Sequence, residues 1–411
     1  MTEGTNSRRL FGVNRNVFFL GLTAFFQDIS GEMIFTIMPL FLSNVLGVKT
    51  SIIGLIEGIS QSTASLLNLA GGWISDRTGK YKALTVAGYA ISTIVKPFLY
   101  FASTWGTVLG IRFGDRVGKG IRTSPRDALL ADSAGQKERG RSFGFHRALD
   151  TLGAVLGLAG AALIIFLLQR GSIDLTRPTY QMLVLVGVIP GVIGVITVLV
   201  FVKEAGRARA VEGGVREGTT PTPRPKLPRH FKIFLVIVIL FTLGNSSDAF
   251  LILRAQNLGV SVFGILLLLV MFNVVFSVLS TPAGVVSDKI GRRRVIALGW
   301  AFYAVLYLCF GLATSAWQLI PLFALYGIYH AATGGVLRAF VADMSPGGKR
   351  GLPYGIYHGL VGVTLFPASL IAGILWESVS PSMPFYFGAA TAALSFVGLL
   401  VLMPKHSPAT A

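Results

Sequence analysis

Long apolar runs broken by short polar interruptions set the architecture of this chain. Twelve runs come near the roughly 20 apolar residues that a helix needs to cross a bilayer. They lie at 17–42, 51–74, 83–102, 105–131, 142–168, 180–202, 231–254, 261–287, 295–314, 317–343, 353–376 and 383–403. Only a helix satisfies its own backbone inside such a run, and a lipid-facing barrel would instead alternate in short segments. The predicted class is therefore an all-α polytopic membrane protein with twelve transmembrane helices. No cleavable leader is expected, because the first run is too long for one and lacks a small-residue cleavage site.

The polar interruptions divide the chain. A tail at 1–16 precedes a six-helix bundle at 17–202; a hydrophilic connection at 203–230 leads to a second bundle at 231–403 and a tail at 404–411. The connection holds Gly213-Gly214, Pro221, Pro223, Pro225 and Pro228 among its cations. That composition predicts a flexible to extended tether on the anionic cytoplasmic face. The bundles repeat each other. Gly72-Trp73-Ile74-Ser75-Asp76-Arg77-Thr78-Gly79-Lys80 returns as Gly284-Val285-Val286-Ser287-Asp288-Lys289-Ile290-Gly291-Arg292. Leu46-Gly47-Val48 returns as Leu258-Gly259-Val260, and Ala131-Asp132 as Ala342-Asp343, always at an offset of 211 or 212. Parallel repeats of this kind build rocking secondary transporters.

Composition and charge sharpen the picture. Hydrophobic residues make up 53% of the 411 positions and charged residues 13%, against about 25% charged in soluble domains. The net charge of +18 could suggest nucleic acid, but its distribution gives another account. With the amino terminus inside, cytoplasmic segments carry Arg8, Arg9, Arg15, Arg77, Lys80, Lys82, Lys137, Arg139, Arg141, the cations of the connection, Lys289, Arg292 to Arg294, Lys349, Arg350 and Lys405. External segments carry only Lys49, Arg170, Arg177 and Arg254. This positive-inside bias predicts a plasma (inner) membrane protein with both termini cytoplasmic and no nucleic-acid partner. Cys309 is the only cysteine, which excludes an internal disulfide framework and a cysteine-rich zinc site. No histidine pair suggests a metal, and no phosphate-cradling glycine loop suggests ATP. Gly118-Lys119-Gly120 is too short and lies inside a helix. An enzyme is not expected.

The loops at Gly72 and Gly284 identify a relationship. Both copies follow the pattern G-x-x-x-D-R/K-x-G-R/K-R/K; the first departs at its last place, where Tyr81 precedes Lys82, and the second is complete through Arg293. The chain thereby resembles the major facilitator superfamily over essentially its whole length outside the tails and connection. The resemblance implies two six-helix pseudo-repeats and secondary active transport by alternating access. It also implies a cytoplasmic gate made of Gly72, Asp76, Arg77, Gly79, Lys80 and Asp132, with Gly284, Asp288, Lys289, Gly291, Arg292 and Asp343 as their repeat mates. The glycines fit that role, allowing close helix contact and a tight turn. Arg112 holds the place of the family arginine linked to proton coupling, although Arg116 stands where a glycine is usual and Asp115 and Lys119 add charges. Gly144, Gly153 and Gly157 keep the spacing of the antiporter motif, while Leu158 replaces its proline and Ala161-Ala162 its glycine pair. This implies efflux over uptake.

Charges inside the runs are costly, about 2.5–3.5 kcal/mol each at mid-bilayer on translocon scales, so they should face a cavity or each other. At about 100° per residue, Arg112, Arg116, Lys119, Arg122 and Arg126 fall within an arc of about 120° and cover about 21 Å of helix. Asp28 and Glu32 share a face of the first helix, His146, Arg147 and Asp150 a face of the fifth, and Asp248 is the counterpart of Asp28 in the second half. One reading is a cavity for a small anionic or zwitterionic solute, with Asp28 or Glu32 carrying a proton and His146 as a relay. The other is a self-neutralised network, in which Asp28, Glu32, Asp115, Asp127, Asp132 and Asp150 balance the cations. His330, His358, Tyr326, Tyr329, Tyr354 and Tyr357 form a polar-aromatic set, either core packing or cavity lining. The expected partners are a small-molecule substrate and the lipid bilayer, for a monomer driven by a proton or other ion gradient without a bound cofactor. A transporter-like sensor or scaffold without flux is the alternative from a different class.

Overall fold

A computed structural model describes residues 9–11, 13–134, 139–169, 171–204, 228–344 and 351–403. Most of the connection, the carboxy-terminal tail, and residues 1–8 and 12 of the amino-terminal tail predicted from sequence lie outside these residues. So do the side chains of several helical residues, Asp288, Asp343 and Tyr354 among them.

A helix occupies each of the twelve predicted runs. They are α1 (Arg15–Phe35), extended by the short α2 (Met38–Leu40) and a π-turn to Val45; α3 (Thr50–Thr78); α4 (Tyr81–Val95), extended by a 3₁₀ stretch to Phe101; α5 (Trp105–Ser133); α6 (Arg139–Leu168); and α7 (Arg177–Phe201). The second half holds α8 (Arg229–Gly244), α9 (Ala249–Asn257), α10 (Val262–Ile290), α11 (Arg292–Leu312), α12 (Leu319–Asp343), α13 (Gly351–Ser378) and α14 (Met383–Leu402). Ten of these stretches are long and apolar enough to cross a membrane; α3 and α5 are as long but more polar. Many leucines and valines, Leu199 and Val401 among them, are exposed, as suits a surface covered by lipid rather than water. One two-stranded pair, β1 (Arg9–Leu10) and β2 (Val13–Asn14), precedes the first span. The apolar pattern could not reveal it, because it lies outside every run.

Local chemistry sets several boundaries. The Asn14 side chain accepts a hydrogen bond from the Asn16 amide, 2.9 Å, at the start of α1, and the Thr104 hydroxyl accepts from the Thr107 amide, 3.3 Å, at the start of α5. The Leu-Gly-Val repeat marks turns where Gly47 has φ +61° and Gly259 φ +82°, a region open to glycine without steric cost. Gly79 and Gly291, with φ +65° and +94°, turn the chain in the same way in the two copies of the loop motif. The seventh predicted helix is not continuous. The seventh run breaks at Asn245-Ser246-Ser247-Asp248, between α8 and α9.

The chain divides into two compact units that differ from its sequence halves. The first comprises residues 1–36, 66–161 and 180–221, the second 37–65, 162–179 and 222–411. In the first, α4 and α5 touch through backbone: a Cβ at Gly88 would sit 2.6 Å from the Gly118 carbonyl oxygen. Val17, Leu20, Tyr89, Leu129, Leu130, Val198 and Val202 form a buried cluster beneath them. In the second, Phe241 of α8 stacks on Trp300 of α11 at 4.8 Å. A Cβ at Gly388 of α14 would sit 2.7 Å from the Gly244 carbonyl oxygen. Small residues at helix contacts are how membrane helices gain packing where lipid is as apolar as they are.

Candidate functional site

Two groups of polar side chains sit inside the spans, one in each unit. The first begins with glycines. Gly153 and Gly157 of α6 face α1. A Cβ at Gly153 would collide with the Phe25 carbonyl oxygen, and one at Gly157 would lie 2.7 Å from the Ile29 oxygen and 3.0 Å from Glu32 Cβ. This close approach brings together two acids from the sequence-predicted set. The carboxyl groups of Asp28 on α1 and Asp150 on α6 become close neighbours. Two carboxyl groups so placed repel each other when both are ionised, and a proton on one relieves the repulsion.

Cations frame the pair. Arg147 donates from NH1 to Asp150 Oδ2 at 2.8 Å, and Lys119, Glu32 and Lys96 are charged neighbours of Asp28. Glu32 accepts the Thr36 hydroxyl, one turn on. His146 is buried beside Arg126, Asp127 and Asp150, and its Nε2 has no partner among the described residues. Arg126 is bound to its chain neighbour Asp127 at 2.8 Å.

Deeper in α5, Asp115 is buried among Arg116, Lys96, Arg112 and Arg122. Arg116 Nε lies 3.7 Å from its carboxylate, and the buried Arg112 guanidinium sits 4.5 Å over the Phe35 ring. Arg122 donates to Ser92 Oγ at 2.7 Å and lies 4.4 Å over Tyr89. The stripe is thus partly neutralised and partly held on ring faces. Sequence reading missed Lys96, which is buried and donates to Ser30 Oγ at 2.8 Å. A lone lysine inside the apolar run at 83–102 was its visible signal.

The second group surrounds the break between α8 and α9. Asp248 Oδ1 accepts the Tyr326 hydroxyl at 2.8 Å, and Asn245 Oδ1 accepts the Tyr303 hydroxyl at 3.1 Å. Ser247 Oγ donates to Glu57 Oε2 at 3.3 Å. Tyr326 and Tyr329 are buried, and His330 meets Tyr326 edge-on at 4.5 Å. His358 is exposed, while Tyr357 is buried. Glu57, buried in an apolar run of the first half, was also overlooked.

The gate residues lie elsewhere. Gly72 faces α5, where a Cβ would lie 3.2 Å from Ser124 Oγ. Asp76 is exposed and accepts the Tyr81 hydroxyl at 3.2 Å, Arg77 lies 5.5 Å over the Trp73 ring, and Lys80 is exposed. Asp132 is exposed and has no side-chain partner among the described residues. Lys289 is exposed, and Arg292 opens α11 directly after Gly291. The side chains of Asp288 and Asp343, and the surroundings of Gly284, lie outside the described residues.

Comparison with known proteins agrees with this architecture. The Major Facilitator Superfamily model matches residues 20–253 and 233–411. An uncharacterized MFS-type transporter of Methanocaldococcus jannaschii is 36% identical over 403 residues, covering 97% of this chain and 96% of that protein. The class H tetracycline resistance protein of Pasteurella multocida is 30% identical over 171 residues, 41% of this chain and 39% of that one. Among solved structures, a D-xylose-proton symporter shares the fold at 16% identity with a TM-score of 0.73, over 95% of this chain and 97% of its own. A nucleoside transporter does so at 12% identity with a TM-score of 0.77, over 94% and 100%. The doubled loop motif, the helices at each predicted run and a family match across both halves converge: the chain belongs to the Major Facilitator Superfamily and is a multi-pass membrane transporter.

Proposed function

We propose that this protein is a proton-coupled secondary transporter of a small solute, that it works by alternating access, and that it exports rather than imports. The observation that carries the reading is the carboxyl pair Asp28–Asp150. A shared proton between two helices, flanked by Arg147 and Lys119, is a group that can load and release one proton per cycle. The excess of cations around Asp115 suits a solute with an acidic group. Export is supported by the glycines of α6 that carry the antiporter spacing and by the partial likeness to a tetracycline resistance protein. On the positive-inside count, both termini face the cytoplasm of the cell that holds it in its plasma membrane.

Proteoliposomes with an imposed pH gradient test this. A panel of tetracycline, norfloxacin, thymidine and D-xylose is added while a pH-gradient dye reports proton movement. Solute-dependent proton flux is expected, and Asp28→Asn or Asp150→Asn should abolish it while solute counterflow continues. Solute movement that is indifferent to the gradient would remove proton coupling. A correctly folded protein without flux for a wide panel would favour the sensor or scaffold.

A further inference from the structure

The second unit contains a binding site that the proton pair does not explain. α8 stops at Gly244 and α9 begins at Ala249 within one apolar stretch, Arg229–Asn257. Four residues of irregular backbone inside a membrane span occur where they line a cavity or a substrate site, because lipid offers no hydrogen bonds. The side chains at this break are polar: Asn245, Ser246, Ser247 and Asp248.

Asp248 is the group to account for. It is exposed, unlike the tyrosines behind it. It stands at the N-terminus of α9 but makes no side-chain capping bond there, so helix capping does not explain it. Tyr326 fixes its Oδ1 at 2.8 Å, and no described residue donates to Oδ2. The nearest basic residue along its helix, Arg254, is buried and turned to other partners. Its guanidinium donates to the carbonyls of Phe310, Gly311 and Ala313 and to Asn257.

The surroundings are aromatic. Tyr326 stacks on Phe272 at 5.3 Å and meets His330 edge-on at 4.5 Å. Tyr303 stacks on Tyr307 at 4.0 Å, and its hydroxyl is held by Asn245. His330 keeps a buried Nε2 without a partner among the described residues, a polar atom that packing alone leaves unsatisfied. Ring faces carry the negative lobe of their quadrupole. An exposed carboxylate against such a wall, with no cation bound to it among the described residues, complements a positive charge on an apolar body.

We propose that Asp248, fixed by Tyr326 at the α8–α9 break, binds the ammonium group of an organic cation. This inference rests on the transporter reading, since the cation is the cargo or part of it, but binding is measurable without transport. The site differs from the Asp28–Asp150 pair in unit, helices and chemistry.

Equilibrium binding to the full-length protein in lipid nanodiscs tests the assignment. The probe is trimethylphenylammonium, whose charge does not vary with pH, and the comparator is neutral 2-phenylethanol. The cation should bind saturably and tighter than the alcohol by about tenfold or more. Asp248→Asn should weaken the cation by at least about tenfold and leave the alcohol unchanged. Tyr326→Phe keeps the charge but frees the carboxylate, and should weaken the cation by a few-fold. Equal binding of cation and alcohol, or full affinity in Asp248→Asn, overturns the proposal. If Asp248→Asn fails to fold, full affinity in Tyr326→Phe overturns it and a few-fold loss upholds it. Saturable, Asp248-dependent cation binding in a protein that shows no proton-coupled flux would remove the coupling and keep this site, so the two readings fail separately.

Discussion

Asn44 and Gln256 hold each other by two amide hydrogen bonds, and they are repeat mates. Asn44 Nδ2 donates to Gln256 Oε1 at 3.2 Å, and Gln256 Nε2 donates to Asn44 Oδ1 at 2.8 Å. The offset between them is 212, the same as between Leu46-Gly47-Val48 and Leu258-Gly259-Val260. Residues related by a two-fold operation can touch only on its axis. The pair therefore marks where the internal symmetry of the chain passes through the second unit.

Around the axis, other bonds join the same segments. Ser51 Oγ donates to Glu377 Oε2 at 2.6 Å, and Lys49 Nζ lies 3.1 Å from Glu377 Oε1. On the proposed orientation these bonds lie toward the outer side and tie the segments together within the second unit. Alternating access requires these contacts to part. Asn44→Cys with Gln256→Cys, in a Cys309→Ser background, should form a disulfide under oxidation and stop transport. Reductant should restore it. Transport at the uncross-linked rate after complete oxidation would show that this end need not open.

The Asp28–Asp150 pair gives a pH prediction. Arg147 bonds Asp150 Oδ2 at 2.8 Å and so favours the proton-free form of the pair. Without that charge the pair keeps its proton more firmly, and release needs a higher pH. Arg147→Gln should therefore move the pH optimum of transport upward, and Arg147→Lys should move it less. The measurement is initial rate against pH in proteoliposomes. An optimum that stays in place, with the rate merely scaled, would make Arg147 a packing residue.

Much of this was legible in the sequence. Twelve apolar runs foretold where helices form, and two loop copies foretold the turns at Gly79 and Gly291. The break at Asn245 to Asp248 was visible as four polar residues inside a run. It was overlooked because run length outweighs local polarity when a span is assigned from hydropathy. Meetings between distant residues were less legible. Nothing in a single run says that Asp28 and Asp150 will meet; that follows from glycines of one helix meeting the backbone of another. The compact units were legible only in part, since four of their five divisions fall within the first run or inside α3, α6 and α7, where the sequence shows no boundary.

The structure also resolves an irregularity of the loop motif. In the second copy Gly291 precedes α11 and Arg293 is its second residue; in the first, Lys80 intervenes after Gly79, and the second residue of α4 is Lys82. Lys82 then does what Arg293 does. Lys82 Nζ donates to the Leu199 carbonyl at 2.9 Å, and Arg293 NH2 to those of Leu399, Leu400 and Met403 at 3.0–3.1 Å. Each cation closes the C-terminal end of the last helix of its own half, where carbonyls lack partners and the helix dipole is negative. The slip in offset from 212 to 211 thus falls at this loop, and Tyr81 is not the functional mate of Arg293. Arg293→Ala should destabilise the protein by about 1–2 kcal/mol and Lys82→Ala by about 0.5–1 kcal/mol, with Lys82→Arg neutral or better. Unfolding in mixed micelles measures this, and equal losses at the two positions would contradict the count of carbonyls.

The glycines of α6 provide the sharpest contrast. Gly144, Gly153 and Gly157 all fit the antiporter spacing, yet they do not have equal surroundings. A Cβ at Gly144 would meet nothing within 4 Å, whereas at Gly153 it would collide with the Phe25 carbonyl and at Gly157 it would crowd Ile29 and Glu32. Gly144→Ala should be tolerated, within about 0.5 kcal/mol of the parent. Gly153→Ala pushes α1 and α6 apart where backbone cannot yield, and overpacking of this kind costs about 1–3 kcal/mol. The same displacement separates Asp28 from Asp150, so proton-driven transport should fall much further than counterflow in Gly153→Ala and Gly157→Ala. A stability loss without that selective fall would leave the glycines as packing residues alone. The selective fall, absent in Gly144→Ala, would tie the spacing of small residues on α6 to the shared proton.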